Sequence, residues 1–176
     1  MRFLRPFHSH LHPAPEVSVD YCIKKGILQV EFQIKGHKNY FDSDQFSLIG
    51  WENWGLWNYD VVELFLTKSP LGPYLEVQAS AVGQKFALKV IKPRVETQKI
   101  TDLDCEVESS VDSDGFRVNF TLNCDEIPGE GSELYGNFHA CLGEAAKRNY
   151  YYLFLYSQAR PDFHRPDLFK KLGDIQ

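Results

Sequence analysis

The sequence is poor in the features that mark membrane and secreted proteins. Its longest apolar run, Tyr150 to Tyr156, is far shorter than the roughly 20 residues of a membrane-spanning helix. Residues 1–15 contain two arginines but neither the apolar core nor the small-residue cleavage site of a signal peptide. We therefore expect no membrane partner and a cytoplasmic location by default, although a secreted chain that has lost its leader would look the same.

Cysteine is also scarce, with four residues at positions 22, 105, 124 and 141. None is close to another, which excludes the C-x-x-C motifs of metal and redox sites. Each lies in or beside a strand-like apolar run, so we interpret them as free, buried thiols, with disulfide pairing as the alternative. Serine-hydrolase, P-loop and dinucleotide-binding motifs are absent as well.

Basic charge is in deficit. Lysine and arginine number 19 against 24 aspartates and glutamates, a net charge of −5. This balance argues against nucleic acid or an anionic lipid surface as the main partner. Hydrophobic residues make up 43% of the chain, an ordinary share for a globular protein, so disorder is excluded.

What is present is alternation of apolar and polar residues, the period of β-strands. Residues 17–34 form a predicted hairpin, and Asp112–Gly115 is a strong turn signal. About nine short strands predict an all-β fold, an antiparallel β-sandwich of jelly-roll type with little helix. A short helix is predicted to begin at Pro166. We assign residues 1–14 to an N-terminal arm and residues 15–176 to a single domain.

Aromatic residues make up 14% of the sequence, and all three tryptophans lie between Gly50 and Trp57. Glycine weakens strands, so this segment is predicted to be a loop that presents indoles. An indole such as Trp54 or Trp57 offers a flat apolar face and one N–H donor, which suits the apolar face and hydroxyl rim of a sugar ring. The alternative is that the tryptophans close one end of the sandwich core.

A row of polar side chains is predicted beside this loop. Glu63 shares a strand face with Val61 and Phe65, where an apolar setting requires the carboxylate to be paired or raises its pKa. The following strand places Tyr74, Glu76 and Gln78 on one face. If the two strands pair, these side chains could form hydrogen bonds with the hydroxyl groups of a ligand. The alternative is a solvated outer face of the sheet.

The C-terminal segment is rich in aromatic and ionisable groups. Phe163, His164 and Arg165 are predicted to reach back over the aromatic loop, where Arg165 could donate a forked pair of hydrogen bonds to ring hydroxyls. The alternative is a strap that only seals the sandwich.

Metal binding has weak signals. The alternating histidines His8, His10 and His12 could bind zinc or nickel. The prolines on both sides favour a flexible or docked N-terminal arm instead. Structural calcium is a further option at Asp42–Asp44 and Asp112–Asp114, although such turns usually only turn the chain.

Three segments together resemble the carbohydrate-binding module family 9-like domains, within the DOMON-like β-sandwich group. They are Gly55–Leu66, Tyr74–Gln78 and Pro161–Phe169, and the resemblance spans roughly residues 15–172. It implies a sugar, often a chain's reducing end, held between two aromatic side chains beside an acidic residue, and frequently a structural calcium. Trp57 and Glu63 match one aromatic wall and its carboxylate, whereas Phe163 and His164 stand where the family has tryptophan.

Three functions follow. The first is a non-catalytic domain that binds a small saccharide or polyhydroxylated ligand. The second is a sugar- or metabolite-processing enzyme that uses Glu63 with Glu76 or His164 as acid and base. The third is a protein-interaction domain that docks through its tryptophan-rich loop.

Overall fold

The described part of the chain is a β-sandwich. A computed structural model describes residues 1–7, 14–38, 42, 44–144, 147–154 and 161–175. Within these ranges there are thirteen strands in two antiparallel sheets, with helix limited to short 3-10 turns. The strands are β1 (Arg2–Phe3), β2 (Arg5–Pro6), β3 (Glu16–Lys24), β4 (Ile27–Lys35), β5 (Val61–Thr67), β6 (Tyr74–Ser80), β7 (Lys85–Lys92), β8 (Glu96–Lys99), β9 (Cys105–Val111), β10 (Gly115–Asn123), β11 (Glu133–Leu142), β12 (Asn149–Tyr152) and β13 (Lys170–Asp174). The 3-10 turns are Leu56–Asn58, Cys124–Glu126 and Pro166–Leu168.

The smaller sheet has the strand order β1-β3-β4-β10-β9. The larger sheet has the order β2-β12-β11-β5-β6-β7-β8, and β13 pairs with the first half of β11. The predicted antiparallel β-sandwich is therefore confirmed, whereas the count of about nine strands is wrong. The strands missed by alternation are edge strands that are very short, such as β1 and β2, or exposed along their length, such as β8.

The strand β5 is buried on both of its faces. Val62, Leu64 and Leu66 belong to the main core between the two sheets. Val61 and Phe65, on the opposite face, belong to a second apolar cluster on the outer face of the larger sheet. Trp57, Phe163 and Phe169 pack against this second cluster, so two loop segments cover the outer face.

Both ends of the chain pair with the sheets. In the predicted N-terminal arm, Arg2–Phe3 pairs with β3 and Arg5–Pro6 pairs with β12. The prediction of a helix beginning at Pro166 is wrong. Only one 3-10 turn forms there, and Lys170–Asp174 continues as β13 along the backbone of β11. An edge of unpaired backbone groups outweighs the weak helical preference of that segment.

The four cysteines are free, as predicted, and three of them are buried. Among the described residues, no helix is both long and apolar enough to cross a membrane.

Candidate ligand-binding site

A cavity of about 690 Å³ opens on the outer face of the larger sheet. Its floor is formed by side chains of β5, β6 and β7. One wall comes from the tryptophan-bearing segment before β5, and the opposite wall comes from residues 161–169, which we call the C-terminal strap. A cavity of this size suits a small ligand.

The structure brings seven of the nine predicted site residues to this cavity: Trp54, Trp57, Glu63, Glu76, Gln78, Phe163 and His164. Tyr74 lies beneath them, fully buried, with its hydroxyl 2.6 Å from Nδ1 of His164. Arg165 does not line the cavity. Its guanidinium instead donates two hydrogen bonds, of 2.8 and 2.7 Å, to the carboxylate of Asp167 two residues further along.

The polar floor follows from strand register. In the β5–β6 ladder Glu63 lies opposite Gln78, and Phe65 lies opposite Glu76. Nε2 of Gln78 donates a 2.7 Å hydrogen bond to Oε1 of Glu76, which ties the two side chains together. Among the described residues, Oε2 of Glu76 and Oε1 of Gln78 are buried with no hydrogen-bond partner.

Burial raises the pKa values of the ionisable groups in the cavity floor. It raises the pKa of Glu76 to about 7. It also raises the pKa of Glu63 well above the ordinary value, and the neighbouring Glu76 adds to that rise. Burial likewise raises the pKa of Cys141, whose thiol donates to Oε2 of Glu63 across 3.9 Å. Near neutral pH the Glu63 carboxyl and the Cys141 thiol are therefore uncharged, whereas Glu76 is close to the midpoint of its titration, and Cys141 is unsuited to be a nucleophile.

The tryptophan wall is built on a tight turn. Gly55 has φ of +94°, a left-handed conformation that glycine adopts without strain, and it begins the 3-10 turn that carries Trp57. The indoles of Trp54 and Trp57 meet edge to face at 4.9 Å, and both meet the ring of Phe86 edge on. Trp54 is 51% exposed, whereas Trp51 is buried in the main core, so two indoles face the cavity and the third serves packing.

The C-terminal strap both seals the sheet and lines the cavity. The ring of Phe163 stacks flat on His139, with centroids 4.1 Å apart and planes 5° from parallel. His164 lies over Phe65, at 5.7 Å between centroids. An ion pair between Asp162 and Arg94, the latter in the turn between β7 and β8, joins the strap to the sheet.

Two residues next to the site are not among the predicted site residues. Arg148 is only 6% exposed and donates to the backbone carbonyls of the Trp57 turn. His139 is fully buried opposite Glu63, and burial lowers its pKa well below the ordinary value. His139 shares a strand face with Cys141, a signal visible in the sequence, but its neighbours there look like core. Nothing in the sequence around Arg148 indicates that it donates to Trp57, Asn58 and Tyr59, which lie about 90 residues away.

The described residues do not cluster the side chains that usually bind metals. They contain no group of three or more histidine, cysteine, aspartate or glutamate side chains placed to hold an ion. The carboxylate of Asp112 accepts the backbone N–H groups of Asp114 and Gly115, which explains that acidic turn as a capped turn. His8, His10 and His12 lie outside the described residues, as does Ser43 between Asp42 and Asp44.

Comparisons with known proteins define the fold. No family model and no curated protein matches this sequence. Among solved structures, a candidate carbohydrate-binding protein from Bacteroides uniformis superposes with a TM-score of 0.69 at 14% identity, covering 96% of this chain and 84% of that one. A family 9 carbohydrate-binding module from Caldicellulosiruptor kristjanssonii in complex with cellotriose gives 0.66 at 14% identity, with 97% and 79% covered. Its complex with glucose gives 0.60 at 15% identity, with 89% and 75% covered.

The chain therefore has the fold of the family 9 carbohydrate-binding modules, as the sequence resemblance predicts. At these identities the likeness concerns the fold alone, and the function has to be argued from the site.

Proposed function

We propose that this chain is a non-catalytic carbohydrate-binding domain whose cavity holds one ring of a small saccharide, at a reducing end. The observation that carries the proposal is the convergence of Trp57, Phe163 and the Glu76–Gln78 pair on one cavity. Structural neighbours of the same fold hold glucose and cellotriose, which supports a ligand of this class.

Each part of a sugar ring has a counterpart in the cavity. The apolar face of the ring packs on the indole of Trp57, which Trp54 and Phe86 hold edge on. Ring hydroxyls donate to the two unpartnered acceptors of Glu76 and Gln78, which removes a desolvation penalty of about 1–3 kcal/mol for each. Stacking contributes about 0.5–1.5 kcal/mol for each ring, so we expect affinities in the micromolar to millimolar range.

The proposal is tested by titrating glucose, cellobiose, cellotriose and a wider sugar panel into the chain, with tryptophan fluorescence and calorimetry as readouts. Trp57→Ala is expected to weaken binding by about two- to tenfold, since it removes the stacking surface. Trp51→Phe is the matched control, because Trp51 is buried in the main core. An absence of binding across the panel at millimolar concentration would refute the proposal, as would unchanged affinity in Trp57→Ala.

A second candidate function, glycoside hydrolysis, is favoured by the two neighbouring carboxyl groups. Burial and the neighbouring Glu76 keep the pKa of Glu63 well above its ordinary value, as a general acid requires. Glu76, with a pKa near 7, would then be the partner base. Aryl glycosides distinguish the two functions: turnover that disappears in Glu63→Gln supports hydrolysis, whereas binding without turnover supports the binding domain.

A further inference from the structure

Two buried hydrogen-bond acceptors in the cavity floor lack partners, and their positions indicate which groups a ligand has to carry. Glu76 and Gln78 are 4% and 1% exposed, and each carries one buried oxygen without a hydrogen-bond partner among the described residues. The hydrogen bond from Nε2 of Gln78 to Oε1 of Glu76 fixes which amide atom faces away from the carboxyl group. When Glu76 is ionised, the two remaining oxygens, Oε2 of Glu76 and Oε1 of Gln78, both accept, so a complementary ligand has to bring donors.

The cations of the cavity are already engaged. Among its described lining residues the permanent cations are Arg94 and Arg148. Arg94 pairs with Asp162, and the guanidinium of Arg148 donates to backbone carbonyls. Burial lowers the pKa of His164, whose Nδ1 lies 3.9 Å from Oε2 of Glu76, beyond hydrogen-bond distance. Both permanent cations of the cavity therefore already have partners, whereas the Glu76 carboxylate has no permanent cation beside it among the described lining residues.

From these contacts we propose that the cavity prefers sugars with a free, protonated amino group over neutral and acidic sugars, with the ammonium donating to Oε2 of Glu76 and Oε1 of Gln78. This inference rests on the proposed saccharide binding. A hydroxyl can donate only one hydrogen bond, whereas an ammonium has three donors and can satisfy both oxygens. Hydrogen bonds between charged groups are also roughly twice as strong as neutral ones, and the buried floor screens them little.

The amino preference depends on pH. Near Glu76 lie Glu63 on β5, Gln78 on its own strand and His164 on the strap. The Asp162–Arg94 pair joins the strap to the β7–β8 turn. Burial raises the pKa of Glu76 to about 7, so its ionised fraction grows as the pH rises toward neutral. Affinity for an amino sugar should therefore increase between about pH 5.5 and about pH 7, whereas affinity for glucose should change less.

The experiment compares glucosamine, glucose, N-acetylglucosamine and glucuronate by calorimetry on the full chain at neutral pH. We expect glucosamine to bind about tenfold more tightly than glucose, since a charge-assisted pair replaces a neutral one. N-acetylglucosamine, which has lost the charge, should show no such gain, and glucuronate should bind more weakly than glucose. Glu76→Gln should bring the ratio of glucosamine to glucose affinity close to one, whatever its effect on glucose binding itself.

Two variants separate the inference from general effects. Glu52→Gln removes the same charge at an exposed position outside the cavity lining and should leave the preference intact. Gln78→Leu removes the second acceptor and should reduce the preference, which keeps the test valid if Glu76→Gln does not fold. Equal binding of glucose and glucosamine overturns the inference but not saccharide binding. A preference that survives Glu76→Gln also overturns it, and no binding of any of the four sugars overturns both.

Discussion

The guanidinium of Arg148 donates a 2.7 Å hydrogen bond to the backbone carbonyl of Trp57. It also donates to the carbonyls of Asn58 at 3.1 Å, of Gly143 at 2.8 Å and of Tyr59. One buried cation thus bonds three carbonyls of the turn before β5 and one carbonyl just after β11. Because these hydrogen bonds fix the backbone of the turn that carries Trp57, we infer that the position of the indole depends on Arg148.

Arg148 is therefore expected to position Trp57 for binding. Arg148→Met leaves buried carbonyls unsatisfied and should destabilise the chain by about 3 kcal/mol, measured by urea unfolding. Arg148→Lys retains the charge but lacks the planar fork, and we expect it to weaken saccharide binding severalfold. A double-mutant cycle with Trp57→Ala is decisive: the effect of Arg148→Lys on affinity should vanish without the indole. An equal loss in both backgrounds would show that Arg148 has no positioning role.

Glu76 is predicted to reduce stability above neutral pH. Burial raises its pKa from 4.5 to about 7, so the folded chain binds this proton more tightly than the unfolded chain. The stabilising contribution is complete below the unfolded value and is lost as the pH rises through about 7, a loss on the order of 3 kcal/mol. Glu63 shifts in the same direction. Glu76→Gln should therefore be more stable than the natural chain above neutral pH.

The measurement is urea unfolding of the natural chain, Glu76→Gln and the exposed control Glu52→Gln across a pH series. The slope of stability against pH should be reduced in Glu76→Gln and unchanged in Glu52→Gln. A stability curve for Glu76→Gln that runs parallel to that of the natural chain would contradict the assignment. A more stable Glu76→Gln would also show that Glu76, which serves binding, lowers the free energy of unfolding.

Because Phe163 stacks on His139, removing its ring should lower the stability of the chain and raise the pKa of His139. Phe163→Ala removes the ring that covers the imidazole, and we expect about 2 kcal/mol of destabilisation. Burial holds the pKa of His139 well below its ordinary value, so folding resists its protonation and stability falls as the pH decreases below about 6.5. In Phe163→Ala that pKa should rise toward the ordinary value, as measured by NMR of the imidazole protons. Phe163→Tyr, which keeps the ring, is the control; identical His139 titration in all three chains would rule out the covering role.

The floor of the cavity could be predicted because strand geometry decides it. Alternation along β5 and β6 places Glu63 and Gln78 on one face, and antiparallel pairing brings them opposite each other. A period of two is visible in a sequence without knowledge of any partner. The same reasoning puts Val62 and its neighbours in the core between the sheets.

The walls of the cavity could not be predicted in the same way. They depend on contacts that leave no repeating pattern in the sequence. Arg165 has a carboxylate partner at Asp167, and this local fork keeps its side chain away from the cavity. Arg148 recognises backbone carbonyls, which every residue has, so no side-chain pattern indicates them. The strand β13 forms because the backbone of β11 is available at Glu133–Gly136, a feature of the assembled sheet.

The close approach of β5 and β11 at Gly136 gives the last prediction. A Cβ at Gly136 would lie 2.3 Å from the backbone oxygen of Phe65, so Gly136→Ala forces the two strands apart. We expect at least about 2 kcal/mol of destabilisation in urea unfolding. Because Glu63 and His139 pair across the same two strands, saccharide affinity should fall as well. Gly173→Ala is the matched control, since its new methyl meets only the flexible side chain of Ile23; equal stability losses in the two variants would refute the strand-separation argument.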